Sequence, residues 1–309
     1  LKRYIAAAIL LALAAGAADA RPYQEIFPNR TDFSDEEKPL LEKLDFQQGA
    51  IKLPTAKATL NVPEGFYFLS PEDTKTVLVD IWGNPPGAAA DALGMLFPAQ
   101  YSPTDAGSWG SVVEYSADGY VSDADAATID YDDLLQNIKD SISESNTERQ
   151  KQGFPTVTLV GWASAPHYDQ SAHALHWARD LLFNENGNTQ HTLNYSVRTL
   201  GREGVFQFDF VAGLEQLKEI ETAVPTVTKL VQFDKGMAYG DHVDGDKIAA
   251  YGMAGMIAAG AGAKVAAKIG LLAIAAAVLK KAWILVFVVF GGAFSFVKKL
   301  FTGNKTPNA

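Results

Sequence analysis

The chain contains no cysteine. That excludes a disulfide framework, a thiolate metal site and a cysteine-linked lipid anchor. It also lacks a Gly-x-Ser-x-Gly elbow, a phosphate-binding glycine loop, a His-Glu-x-x-His pair and a dinucleotide fingerprint. No catalytic residue and no cofactor site is therefore predicted from motifs. Acidic residues stop at Asp246, and eight lysines follow from Lys247 onward. Residues 21–246 hold 16 basic and 35 acidic side chains, a formal charge of −19. A surface of that sign does not seek nucleic acid.

The apolar material lies at the two ends. Residues 248–301 are rich in Ala and Gly and finish in an uncharged run over 282–297, between Lys280-Lys281 and Lys298-Lys299. A hydrocarbon layer about 30 Å thick takes about 20 helical residues to cross. A span is expected over 282–300, with its lysines snorkelling to the headgroups. A hairpin is the second topology, in which 248–279 also crosses and Lys280-Lys281 forms the turn. Lysine positions alone do not separate the two. Ala258, Gly262 and Ala266 repeat at a spacing that lets helices approach closely, so self-association or a membrane-protein partner is expected there. At the other end Lys2-Arg3, an apolar stretch over 4–15 and Ala18-Asp19-Ala20 read as a signal peptide over 1–20. A retained anchor is the alternative.

Between the ends the pattern is that of an α+β fold. Residues 21–57 are polar and weakly periodic and read as an N-terminal extension, with a short helix from 38 to 45. The exported domain is expected over 58–239. It opens with a strand at 58–62 closed by Pro63-Glu64-Gly65. Ser70-Pro71-Glu72-Asp73 starts a helix that Gly83-Asn84-Pro85-Pro86 stops. A strand follows at 109–115, then an Asp118-Gly119 turn. Asp130 caps a helix over 131–152 that buries Leu134, Leu135, Ile138 and Ile142, while its polar half from 143 faces water. Four strands at 156–164, 173–183, 189–200 and 203–212 form an antiparallel β-meander with one wet face. A helix over 214–231 is interrupted near Pro225. Trp82, Trp109, Trp162 and Trp177 are assigned to the core. Residues 240–247 read as an acidic linker, 248–301 as the membrane segment and 302–309 as a polar tail.

Asn84-Pro85-Pro86, Asp118-Gly119-Tyr120-Val121, Gly161-Trp162-Ala163, Leu193-Asn194-Tyr195 and Ala249-Ala250-Tyr251-Gly252, together with both ends, resemble the DUF2167 family of bacterial membrane-anchored proteins. The resemblance implies export and anchoring, and no activity. It places the protein in the bacterial inner membrane with its main domain periplasmic. The order of elements also looks like a Mog1/PsbP-type sandwich, followed by the C-terminal transmembrane helix or helical hairpin.

Candidate sites are few. His176 and Asp180 share a parity on one strand, Asn194 and Arg198 on the next, Gln207 and Asp209 on the last. On neighbouring strands they would form one polar face, able to bind a ligand or do acid–base chemistry. The ordinary reading of such a face is solvation. His167, Asp169, His173 and His176 invite a metal reading, but His173 and His176 point to opposite sides of one strand, so none is assigned. Asp123, Asp125, Asp130, Asp132 and Asp133 lack the glycine and closing glutamate of a calcium loop and read as a solvated loop ending in a helix cap. The leading function is a membrane-associated binding or envelope protein. A periplasmic hydrolase using the polar face, or a subunit of a membrane complex, are the alternatives.

Overall fold

A computed structural model describes residues 19–30, 33–84, 86–105, 107–151 and 153–259. Its strands are β1 (Asp19–Pro22), β2 (Asp45–Leu53), β3 (Ala58–Val62), β4 (Phe66–Leu69), β5 (Gly94–Pro98) and β6 (Gly110–Ser116). β7 (Thr156–Asp169), β8 (Ala174–Glu185), β9 (Asn188–Leu200), β10 (Val205–Ala212) and β11 (Val231–Phe233) follow. The helices are α1 (Tyr23–Ile26), α2 (Lys38–Leu41), α3 (Pro71–Lys75), α4 (Tyr131–Lys151), α5 (Leu217–Val227) and α6 (Met253–Ala259).

All eleven strands join one sheet in the order β11-β3-β2-β4-β5-β6-β10-β9-β8-β7, with β1 also on β2. Each pairing is antiparallel. The four-strand meander is therefore one half of a larger α+β sheet. Its β8–β9 turn is Asn186-Gly187, both at positive φ, as a two-residue hairpin of this twist requires. β2 changes partners midway. Asp45–Gln48 pair with β1, and Gly49–Leu53 pair with β3. Gly49 sits at φ 86 where the switch occurs.

The local signals act as the chemistry dictates. Ser70 Oγ accepts from the Asp73 N–H at 3.1 Å and starts α3. The helix continues as a wider π-turn, Thr76–Ile81. Asp130 Oδ1 accepts from the Asp132 and Asp133 N–H groups, both at 3.0 Å, and starts α4. The polar half of α4 faces water as expected, except at two residues. Asn146 exchanges two 2.8 Å bonds with the Val157 backbone, and Arg149 is buried, its Nε donating to Pro155 O. Those side chains seal the return into β7 rather than facing water. Pro225 lies inside α5, which ends two residues later in a 3-10 turn, Thr228–Leu230.

Both faces of the sheet are covered. One carries Tyr195, Val197, Phe206, Phe208 and Phe210 beneath Ile220, Val224 and Val227 of α5. The other is divided. Its N-terminal part packs Tyr67, Phe97 and Val112 against Tyr23, Phe27 and Leu41. Its meander part packs Leu175, Trp177 and Leu181 with Leu134 and Ile138 of α4 and Met253 and Ile257 of α6. Residues 21–57, read from sequence as an extension, thus supply two strands and the buried Tyr23, Phe27 and Phe46. Their apolar residues are too irregularly spaced to announce a core element. Residues 249–259, read as the start of a membrane segment, pack on the sheet, with Ala249, Met253 and Ile257 buried, while the linker before them is largely exposed. Among the described residues no helix is long and apolar enough to cross a membrane. The expected span at 282–300, and Gly262 and Ala266, lie outside the described residues, as do all but the last two positions of the expected signal.

Candidate functional site

The predicted polar face does not assemble as one surface. β8, β9 and β10 are neighbours, but the register sets Leu175 opposite Arg198 and His176 opposite Val197. His176 and Asp180 therefore share the apolar side of β9, while Asn194, Arg198, Gln207 and Asp209 share the other. Period-2 counting fixes parity within a strand but not between strands, and here one residue of register separates the two sets. His176 Nδ1 meets the Tyr195 hydroxyl at 2.9 Å, and Asp180 pairs with exposed His191 at 2.6 Å.

Asn194, Arg198 and Asp209 are buried, not wet; only Gln207 is half-buried. Arg198 Nη2 donates to both Asp209 oxygens at 2.8 and 2.9 Å, and Ser196 Oγ donates to Oδ1 at 2.8 Å. The Arg198 guanidinium also lies 5.3 Å from the Trp177 ring centroid. Arg179, not singled out by sequence, is buried beside it. Burial pushes its guanidinium down to about 10, against the pull of Asp209. This polar seam runs between the two apolar clusters of that face. Arg198, Ser196 and Asp209 are paired internally, while the buried Asn194 Nδ2 has no hydrogen-bond partner.

What closes the seam is a latch that joins two distant motifs. The Tyr120 N–H donates to Lys247 O and the Ala249 N–H to Tyr120 O, both at 2.8 Å, a short parallel bridge. Gly119 stands at φ +105, with Lys247 O 2.3 Å from where a Cβ would be, so only glycine fits. Tyr251 donates to Asp118 Oδ2 at 2.7 Å, and burial, then the Asp118 charge, raises its phenol pKa. Gly252 lets the Asp125 carboxylate approach to where its own Cβ would sit. Asp125 Oδ1 accepts from the Met253 N–H at 3.0 Å and caps α6. At the far end Arg179 Nη2 donates to Ile257 O at 3.3 Å. Ala258 is fully buried, so its small side chain serves this packing. The acidic loop is thus a set of caps and pairs: Asp130 for α4, Asp125 for α6, and Asp123 for the Tyr168 hydroxyl at 2.8 Å.

Beside the latch lies a half-buried aromatic cluster that sequence reasoning missed. Tyr120 stacks on Tyr239 at 4.5 Å and on His242 at 3.9 Å. His173, at φ 47, packs on Tyr239, and its Nδ1 is 3.2 Å from the Tyr168 hydroxyl. Burial, then the bond to Asp123, raises the Tyr168 phenol. Asp246 accepts both nitrogens of an Arg202 fork at 2.7 and 2.8 Å, and its carboxyl is held well below the usual range. The cluster ties the β7–β8 hairpin, the loop after β6 and the C-terminal segment together. Its members are up to 126 residues apart in sequence, so no local spacing could reveal them.

One open groove lies at the edge of α5. It encloses about 570 Å³ and is lined by buried Phe66, Pro98 and Trp109, with exposed Lys218 and half-buried Glu219 on the helix side. Glu219 accepts from the Tyr101 hydroxyl and from Gln100. Among the described residues no three His, Asp or Glu side chains converge to hold a metal ion.

Among solved structures the chain is similar to cyanobacterial PsbP (CyanoP) from Synechocystis sp. PCC 6803, at 11% identity over 60% of this chain and 91% of that one, with a TM-score of 0.33. No curated protein matches it. Residues 45–291, which take in the central strand, both halves of the latch and the capped helix α6, match the family described as "Protein of unknown function (DUF2167)", and the chain belongs to that family.

Proposed function

We propose that this protein is a membrane-anchored binding protein of the bacterial inner membrane, with its sheet domain on the periplasmic side and its ligand in the groove beside α5. The observation that carries the reading is the docked helix α6. The described residues end in a helix capped by Asp125 and packed on the sheet, and the apolar C-terminal sequence follows it without an intervening linker. Such a base supports holding the domain in a fixed attitude to a membrane, with the lipid bilayer as its first partner. The groove's volume lies within the range of small-ligand sites, and its apolar floor with a charged rim suits binding. A hydrolase working from the polar face has little support, because His176 lies on the opposite side from Arg198 and Asp209 and the latter two are buried.

The test uses the absence of native cysteine. A single cysteine introduced at Lys218 and another at Lys305 are labelled in intact cells and in lysed ones, after carbonate washing of the membranes. Labelling of residue 218 from outside the inner membrane, on protein that stays in the washed membrane, supports the reading. Recovery of the full chain in the wash removes the anchor. Labelling of residue 305 from outside replaces the single span with the hairpin. Any shortened version should retain residues through Ala259, since ending at Asp246 strips α6 from the seam.

A further inference from the structure

One side-chain pair stands outside the seam, the latch and the groove. β7 and β8 set His167 directly opposite His176, with ring centroids 5.2 Å apart. An imidazole nitrogen binds zinc at about 2.0–2.1 Å, and two rings on one tetrahedral ion then have centroids about 5 Å apart. The spacing is met before any ion arrives. His176 is also held in place from behind. Its Nδ1 is bonded to the Tyr195 hydroxyl at 2.9 Å, and Tyr195 is buried. Either group can donate in that bond; in the tautomer whose Nδ1–H donates, the Nε2 lone pair is free, as in histidines that ligate a metal and are held by an outer partner. His167 is exposed on the outermost strand, so an ion can enter from solvent.

We propose that His167 and His176 form a binding site for one divalent transition-metal ion, with the two imidazoles as the fixed ligands and water in the remaining positions. Paired imidazoles select zinc, copper or nickel over magnesium and calcium. Tyr195 acts as a positioning residue that fixes the ring of His176. The site is independent of the groove and of the anchor.

The full chain in mild detergent is titrated with zinc chloride by calorimetry, and its copper(II) form is examined by electron paramagnetic resonance. One saturable ion per chain and a signal from two nitrogen ligands are expected. His167→Gln, an exposed and fold-neutral change, should weaken zinc at least about ten-fold and leave one nitrogen ligand. Tyr195→Phe should weaken it while keeping two nitrogen ligands. His191→Gln should change neither readout. The proposal is overturned if His167→Gln binds as tightly as the parent, if the copper signal keeps both nitrogens in that variant, or if no saturable binding occurs below about 1 mM zinc.

Discussion

Strands β9 and β10 present two faces that are buried by opposite means. On one, Tyr195, Val197, Phe206, Phe208 and Phe210 meet α5 through apolar contact alone. On the other, Asn194, Ser196, Arg198 and Asp209 are sealed beneath α4 and α6, the last three paired among themselves. The first face is sequence-local in its logic, since α5 follows β10 directly. The second depends on a helix that arrives about 40 residues after β10 ends. Alternation along a strand reports chemistry, not exposure. A polar row becomes a wet face only if nothing later in the chain covers it.

The sharpest way to break this comparison is Asp209→Ala. It leaves the Arg198 charge buried without its fork partner, and a loss of about 3–5 kcal/mol is expected in urea unfolding. A loss below about 1 kcal/mol would mean the seam is hydrated after all. Replacing both partners, Arg198→Met with Asp209→Leu, should restore most of the stability. Gly119→Ala attacks the latch instead. Its φ of +105 and the carbonyl of Lys247 make a Cβ strained and crowded, and about 2–4 kcal/mol is expected to be lost. Asp125→Ala removes the cap of α6 at about 1 kcal/mol, and limited proteolysis should then cut near residue 253 before any strand is cut.

Acid should loosen the cluster beside the latch more than the apolar face. Arg202 holds the Asp246 carboxyl below its usual value, so that contribution is complete above about pH 4 and is lost as pH falls further. Melting temperatures of the parent and Asp246→Asn between about pH 6 and pH 2 should converge at the acid end. The smallest effect belongs to Lys57–Glu203, an exposed ion pair between β3's approach and the β9–β10 turn. Lys57→Ala should change stability by less than about 1 kcal/mol, and a larger value would give the surface a share of what the comparison assigns to the interior.

The elements with local signals were legible. Asp130 caps where a capping aspartate should, Asn186-Gly187 turns where a hairpin needs positive φ, and the strand at 58–62 falls between its breakers. The seam was half legible. Asn194, Arg198 and Asp209 were named and Arg179 was not, and their burial depends on α6, whose composition reads as membrane. The N-terminal strands were not legible, because β1 is only four residues long and β2 carries two glutamines and a glycine in a burial pattern without clean alternation. The latch was visible only as two motifs with no stated relation, since Asp118 and Tyr251 meet across 133 residues. The aromatic cluster gave no signal, as stacking of Tyr120 between Tyr239 and His242 leaves no periodicity.

The docked helix also sets a clock. Every strand of the sheet is made before Met253. A growing chain therefore exposes Arg198, Asp209 and Trp177 on an unfinished surface until residues 253–259 are free to fold back. The last described residues to be synthesised are the ones that close the sheet, so the fold is complete only once the start of the apolar C-terminal sequence has been made.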